Sequence, residues 1–222
     1  MTSNLPEVPK SRMADPFLAR IGGLVYRWLG WTCVGETPAY PKYVIIVAPH
    51  TSNWDAFYLI PAASQLKLDM NFFGKHTLFH GPLGWFLRSI GGIPLDRSRQ
   101  QSFVSQAAEW FKAREKLVIG VAPEGTRRWS PGWKTGFYYI ALQAGVPVVL
   151  AYLDYARKEG GILPEVLFPS GDIDRDFERL REIYSKFTGY RPANAAPIVP
   201  LRSAGAGVPG SVTVTESRIG TS

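Results

Sequence analysis

The sequence predicts a single α/β domain with a mainly parallel central sheet flanked by helices. Three observations predict it. Residues 43–48, 116–122 and 146–153 are near-continuous apolar runs of strand length, the pattern of strands buried on both faces. Segments of helical period separate them, so strands and helices alternate as crossover connections require. A chain of 222 residues, 45 % hydrophobic and 13 % aromatic, is long enough for one domain with a proper core.

Residues 1–14 read as a flexible leader, polar and punctuated by proline. Phe17, Ile21, Leu24 and Trp28 then follow helical spacing over about 16–31, with Arg20 and Arg27 close by. Aromatics with arginines suit an N-terminal amphipathic helix at a membrane interface; a helix packed on the domain's own core carries the same pattern. This helix and its linker fill 15–41, and the main domain fills 42–191. Pro49 ends the first strand, and Ser52 or Asn53 can cap a helix over 54–66. A short strand at 71–74 delivers Lys75. Pro82 opens a helix that Gly91-Gly92 closes, and the extended piece Ile93-Pro94-Leu95 delivers Arg97. Helices follow at about 100–114 and 137–144, the second closed by Gly145. A further strand lies at 165–168, and Asp174 caps a helix running to Gly189. Residues 192–222 are rich in Ala, Gly, Pro, Ser and Thr, and read as a disordered tail with a short extended piece at Val212–Val214.

Composition removes several function classes. The net charge of +7 is spread without a basic run, which suits anionic headgroups or phosphorylated ligands; no nucleic-acid signature accompanies it, so no nucleic-acid partner is expected. The single cysteine, Cys33, excludes an intramolecular disulfide and fits a reducing cytoplasm. No signal peptide is evident, and no run approaches the roughly 18 apolar residues of a membrane span. The expected location is therefore peripheral or monotopic, at the cytoplasmic face of a membrane. His76 and His80 lack the glutamate of a zinc helix, so no metal site is expected. Asp172, Asp174 and Asp176 are followed by Phe177 and Ile183 where a calcium loop needs glycine and glutamate. No Gly-x-Ser-x-Gly elbow is present for a serine hydrolase.

Two motifs carry chemistry. His50-Thr51-Ser52-Asn53-Trp54-Asp55 places a histidine and a carboxylate at the mouth of the first buried strand. His50 precedes the cap and Asp55 sits in the helix's first turn, so the chain reversal can bring them together. An aspartate accepting the Nδ1 proton fixes the imidazole tautomer and leaves Nε2 free to take a proton from a hydroxyl. Histidine after a strand and aspartate in a first turn are also locally favourable without chemistry. The second motif, Glu124-Gly125-Thr126-Arg127, follows the strand at 116–122. Gly125 lets backbone approach an anion, and Arg127 can bind its oxygens bidentately; an ordinary loop with a solvated arginine is the plain alternative.

Taken in order, these blocks resemble the glycerophospholipid acyltransferase family, the lysophosphatidic-acid (1-acylglycerol-3-phosphate) acyltransferase-like enzymes. His50 to Asp55 fits the family's HxxxxD block. Lys75 with Gly91-Gly92-Ile93-Pro94-Leu95-Asp96-Arg97 fits the second, Glu124 to Arg127 the third, and Val146-Pro147-Val148-Val149-Leu150 the proline-containing fourth. The family commonly has glutamate two residues after the second-block lysine, and Thr77 stands there.

The resemblance implies direct acyl transfer from a thioester of coenzyme A or acyl carrier protein to a lysophospholipid hydroxyl at an anionic membrane surface, with no cofactor. It implies His50 as general base and Asp55 as its orienting group. It nominates Lys75, Arg97 and Arg127 for the acceptor phosphate, with Thr126 and Gly125 supporting. Glu124 either holds an arginine or contacts acceptor hydroxyls, and Lys134 is a further candidate for donor or acceptor. Backbone amides near Gly125 or at the start of helix 54–66 are the expected oxyanion donors. An acceptor without phosphate, such as a lyso-aminolipid, fits the Thr77 departure; a non-catalytic membrane-surface lipid-binding protein is the reading from another class.

Overall fold

A computed structural model describes residues 8–9, 11–95 and 103–202. Arg97, residues 1–7 and 10 of the leader, and everything beyond Arg202, including Val212–Val214, lie outside the described residues. Among the described residues, six α-helices and nine strands follow in the order α1 (Pro16–Leu29), β1 (Thr32–Val34), β2 (Lys42–Ala48), α2 (Trp54–Gln65), β3 (Asn71–Lys75), α3 (Gly81–Ser89), β4 (Gly92–Leu95), α4 (Phe103–Ala113), β5 (Leu117–Val121), β6 (Trp133–Lys134), α5 (Gly136–Ala144), β7 (Val148–Asp154), β8 (Glu159–Leu167), α6 (Ile173–Tyr184) and β9 (Pro200–Leu201). Seven strands form the main sheet in the order β1-β8-β7-β2-β5-β3-β4, and β6 pairs with β9 apart from it.

The run β7-β2-β5-β3-β4 is parallel throughout. β8 returns antiparallel to β7, and β1 pairs parallel to β8 at the edge. The expected α/β domain is therefore the observed one. Side chains of β2 alternate between two cores, as the pleat dictates. Val44, Ile46 and Ala48 face α4, α5 and α6, where Trp110, Phe137 and Phe177 are buried. Tyr43, Ile45 and Val47 face α2 and α3, together with Ala63, Met70 and Ile90. The carboxyl ends of five parallel strands consequently share one edge, the place where open α/β sheets bind ligands.

α1 lies on the outside of α2. Asp15 caps it, its side chain accepting the Phe17 N–H at 2.8 Å, and Gly30 closes it in the left-handed conformation. Tyr26 is buried and donates its hydroxyl to the Tyr58 carbonyl at 2.8 Å. Gly22 explains one of the two glycines that break the helical pattern: a Cβ there would stand 2.8 Å from the Pro61 carbonyl oxygen. The stripe Phe17, Ile21, Leu24 and Trp28 points away from the protein, with Trp28 85 % exposed.

Several boundaries differ from the sequence reading. The strand expected at 165–168 is the end of the nine-residue β8, whose Gly160-Gly161 pair hides its start from propensity. Gly161 is required there, since a Cβ would meet the Val34 carbonyl oxygen at 1.9 Å. α6 is capped by Asp172, which accepts the Arg175 N–H, and Asp174 and Asp176 sit in its first turn. Residues 192–202, assigned to the tail by composition, are ordered on the domain. Ala196 is buried, Trp133 donates its N–H to the Val199 carbonyl at 2.9 Å, and β9 pairs with β6. Backbone pairing of this kind leaves no mark on composition.

The two glycines of α1 should respond oppositely to alanine. Gly22→Ala forces α1 off α2 and should cost about 1–3 kcal/mol. Gly23→Ala meets only ordinary contacts to Gln65, so the helix gain of about 0.5–1 kcal/mol should appear as stabilisation. Urea midpoints of the two variants check the contrast.

Candidate active site

The main site is built where β2 and β5 end side by side, with Ile46 opposite Val121. That register sets the loop beginning at Pro49 against the loop beginning at Ala122. Glu124 Oε1 accepts the backbone N–H of His50 at 2.8 Å, so the first and third sequence blocks are tied together directly. Glu124 is 2 % exposed, and burial pushes its carboxyl above the ordinary glutamate range, partly offset by the His50 amide. Its Oε2 is buried without a hydrogen-bond partner among the described residues. Glu124 thus stands behind the histidine and holds its main chain.

Asp55 is the electrostatic centre of the site. It is fully buried, with 0 % exposure. Oδ2 accepts the backbone N–H groups of Thr51 at 2.8 Å and Ser52 at 2.9 Å. The same oxygen lies 3.0 Å from His50 Nδ1. Oδ1 accepts the Tyr155 hydroxyl at 2.7 Å. Burial opposes ionisation of Asp55, but the His50 side chain, the Ser52 amide and the Tyr155 hydroxyl outweigh it and hold the carboxyl below the ordinary aspartate range. The turn predicted by the motif therefore forms, with Asp55 itself acting as the acceptor for the loop. Asn53 makes no side-chain cap, and Ser52 Oγ accepts the Trp54 N–H at 3.2 Å.

The His50–Asp55 approach has ion-pair length, yet Nδ1 does not make a full hydrogen bond. Catalytic hydrogen bonds are commonly loose before substrate binds and straighten in the reacting complex. The imidazole retains 18 % exposure, so it is reachable from the sheet edge. An imidazole backed by a buried carboxylate can take a proton at Nε2 and be stabilised as the cation.

Of the other nominated residues, Gly125, Thr126 and Arg127 lie in the loop after β5, Lys75 lies at the end of β3, two strands from β2, and Arg97 is outside the described residues. Gly125 has φ of 62°, and its N–H donates to the Ala122 carbonyl within the turn at 3.0 Å. A Cβ at Gly125 would collide with the Lys134 side chain, within 2.7 Å of Cδ and 3.1 Å of Nζ, so Lys134 lies over the loop. Thr126 Oγ1 accepts the Arg128 N–H at 3.2 Å. Arg127 is exposed, and its carbonyl accepts the Asn194 side-chain amide at 3.0 Å. Lys75 ends β3 and is exposed. The amides of His50, Thr51, Ser52, Trp54 and Gly125 all have partners within the protein.

Sequence reasoning missed two parts of the site. Tyr155 follows the last residue of β7, with no motif to mark it. The segment 188–194 reaches both loops: the Arg191 N–H donates to Thr51 Oγ1 at 3.0 Å, and Asn194 reaches Arg127 as above. A Cβ at Gly189 would fall 2.7 Å from Thr51 Oγ1, so this crossing needs glycine. The available signal was positional, since Tyr155 follows a parallel strand's carboxyl end. The Gly189-Tyr190 step only closes a helix in the linear reading.

Glu124→Gln keeps an acceptor for the His50 amide, whereas Glu124→Ala leaves that buried N–H unpaired and should cost about 1–3 kcal/mol. The pH dependence separates the two further. A carboxyl raised in the folded state holds its proton while the unfolded chain ionises, so its contribution is complete at low pH and is lost as pH rises toward the folded value. Urea unfolding of wild type should therefore weaken as pH rises above the ordinary glutamate range of about 4, relative to Glu124→Gln, which lacks that loss.

Comparison with known proteins places this geometry in a family. The family model described as Acyltransferase matches residues 31–154, more than half of the chain, and covers β2, β5, β7 and both site loops. The 1-acyl-sn-glycerol-3-phosphate acyltransferase of Saccharomyces cerevisiae is 30 % identical over 127 residues, 52 % of this chain and 40 % of the yeast protein. The protein of the same name from Escherichia coli is 29 % identical over 112 residues, 47 % of this chain and 44 % of its own length. That of Haemophilus influenzae is 28 % identical over 142 residues, 60 % and 58 % of the two chains. The chain spans about half the length of the curated relatives it matches. With its histidine, buried aspartate and adjacent arginine loop inside the matched region, the chain belongs to the Acyltransferase family.

Proposed function

We propose that this chain transfers a fatty acyl group from an acyl thioester, of coenzyme A or acyl carrier protein, to a lysophospholipid hydroxyl, with 1-acylglycerol-3-phosphate the favoured acceptor. The observation that carries the reading is His50, reachable from the sheet edge, with Nδ1 3.0 Å from the fully buried Asp55 and the Arg127 loop beside it. The relatives' printed names support the acceptor class.

In this scheme the acceptor oxygen attacks the thioester carbonyl while His50 Nε2 takes its proton, and Asp55 stabilises the imidazolium. Help of this kind is typically worth about 10²–10⁴ in rate. The tetrahedral intermediate collapses by breaking the C–S bond. The thiolate departs and accepts the proton, which restores neutral His50. No acyl-enzyme, metal or organic cofactor is needed. Arg127, Lys75 and Arg97 supply positive charge for the acceptor phosphate, with Thr126 as a hydroxyl donor and Lys134 at the loop's flank. Thr77, where the family commonly has glutamate, favours testing an acceptor without phosphate as the second reading.

No helix among the described residues is long and apolar enough to cross a membrane. The exposed stripe of α1 is joined on the same side of the sheet by Trp54 and Phe57 of α2 and by Leu83, Trp85 and Phe86 of α3. Exposed aromatic and aliphatic side chains of this kind, with Arg20 and Arg27 beside the α1 stripe, support attachment to the surface of an anionic bilayer, peripheral or monotopic, at its cytoplasmic side.

Thiol release from a long-chain acyl-CoA should depend on added lysophosphatidic acid and vanish in His50→Ala. A folded His50→Ala protein with full turnover would sink the base assignment. Arg127→Ala should raise KM for the phosphorylated acceptor several-fold while leaving kcat nearly intact. For the membrane face, the pair Leu24→Ser and Trp28→Ser should reduce co-sedimentation with vesicles containing phosphatidylglycerol; unchanged sedimentation would remove α1 from the attachment.

A further inference from the structure

We propose that Tyr155 is a positioning residue of the His50–Asp55 pair, its hydroxyl fixing the Asp55 carboxylate so that Oδ2 is presented to His50. The inference rests on the general-base reading above. Tyr155 lies one residue beyond the region matched by the family model, and its hydroxyl donates to Asp55 Oδ1 at 2.7 Å. The other oxygen carries the loop amides and the imidazole. A carboxylate held only by its Oδ2 partners can rotate about its Cβ–Cγ bond. The hydroxyl on Oδ1 removes that freedom.

The ring is itself immobilised. It meets Trp31 edge-on with centroids 4.9 Å apart, Tyr58 at 5.5 Å and Tyr190 at 5.2 Å. Its backbone N–H donates to the Thr188 carbonyl at 2.9 Å. The titratable groups facing this arrangement are His50 and Glu124 from the two site loops, Tyr26 and Tyr58 from α1 and α2, and Tyr190 from the segment after α6. Burial, followed by the hydrogen bond to the Asp55 charge, pushes the Tyr155 phenol far above its ordinary value, so it stays a donor throughout the working pH range.

The test is Tyr155→Phe, which keeps the ring and removes only the hydroxyl. It is assayed with acyl-CoA and lysophosphatidic acid at a temperature where circular dichroism shows wild type and variant folded. A hydrogen bond to a charged group is lost, so kcat should fall roughly ten- to a hundredfold with both KM values unchanged. The undonated carboxylate favours the imidazolium more strongly, so the acidic limb of the kcat profile should move to higher pH. In an Asp55→Asn background the same change should cost nothing further, because Tyr155 acts only through Asp55. Wild-type kcat and an unmoved limb in Tyr155→Phe overturn the proposal, as does a full additive loss on top of Asp55→Asn. His50→Ala separates the two levels. If it is folded and active, the base reading falls and Tyr155 with it; if it is inactive while Tyr155→Phe is indistinguishable from wild type, only the Tyr155 role falls.

Discussion

A negative charge with no solvent contact organises this molecule. Asp55 is fully buried and accepts hydrogen bonds from two backbone amides and a tyrosine, with a histidine nitrogen at contact distance. Leaving such a group without one partner typically costs on the order of 3–5 kcal/mol, so the donors must be delivered by the fold itself. They come from two places, the loop after β2 and the chain just past β7. The parallel pairing of β2 with β7 is what lets the last of these reach the first.

The neighbour on the other side contributes differently. β5 ends beside β2, and Glu124 grips the His50 backbone from behind. The histidine is therefore fixed at its main chain by one strand connection and at its ring by another. The imidazole keeps 18 % exposure beyond those two attachments. The histidine loop and the Arg127 loop are thus neighbours because two strands are adjacent.

Much of this was legible in the chain. The apolar runs at 43–48, 116–122 and 146–153 are β2, β5 and β7, because strands covered on both faces leave continuous hydrophobic stretches. The His50–Asp55 spacing yielded a contact because its geometry is local. What escaped was made by distant or backbone pairing. Tyr155 reaches Asp55 across 100 residues of sequence, β9 pairs with β6 through main-chain groups, and β8 begins with two glycines that propensity argues against. Glu124 was assigned the right neighbourhood but not its partner, since nothing in a glutamate's sequence context tells a brace from a ligand.

The segment from Thr188 to Asn194 has a bearing on how the domain can be divided. It touches Thr51 at one end and Arg127 at the other, and it sets Tyr190 edge-on against Tyr155. The segment itself and Tyr155 lie past position 154, where the family match stops. The smallest portable unit of this fold is therefore larger than its recognisable core. A fragment cut at the family boundary would keep every motif residue and lose the chain that clasps the two motif loops together. Swaps between relatives should accordingly carry the stretch through β9 as one cassette with the loops it binds.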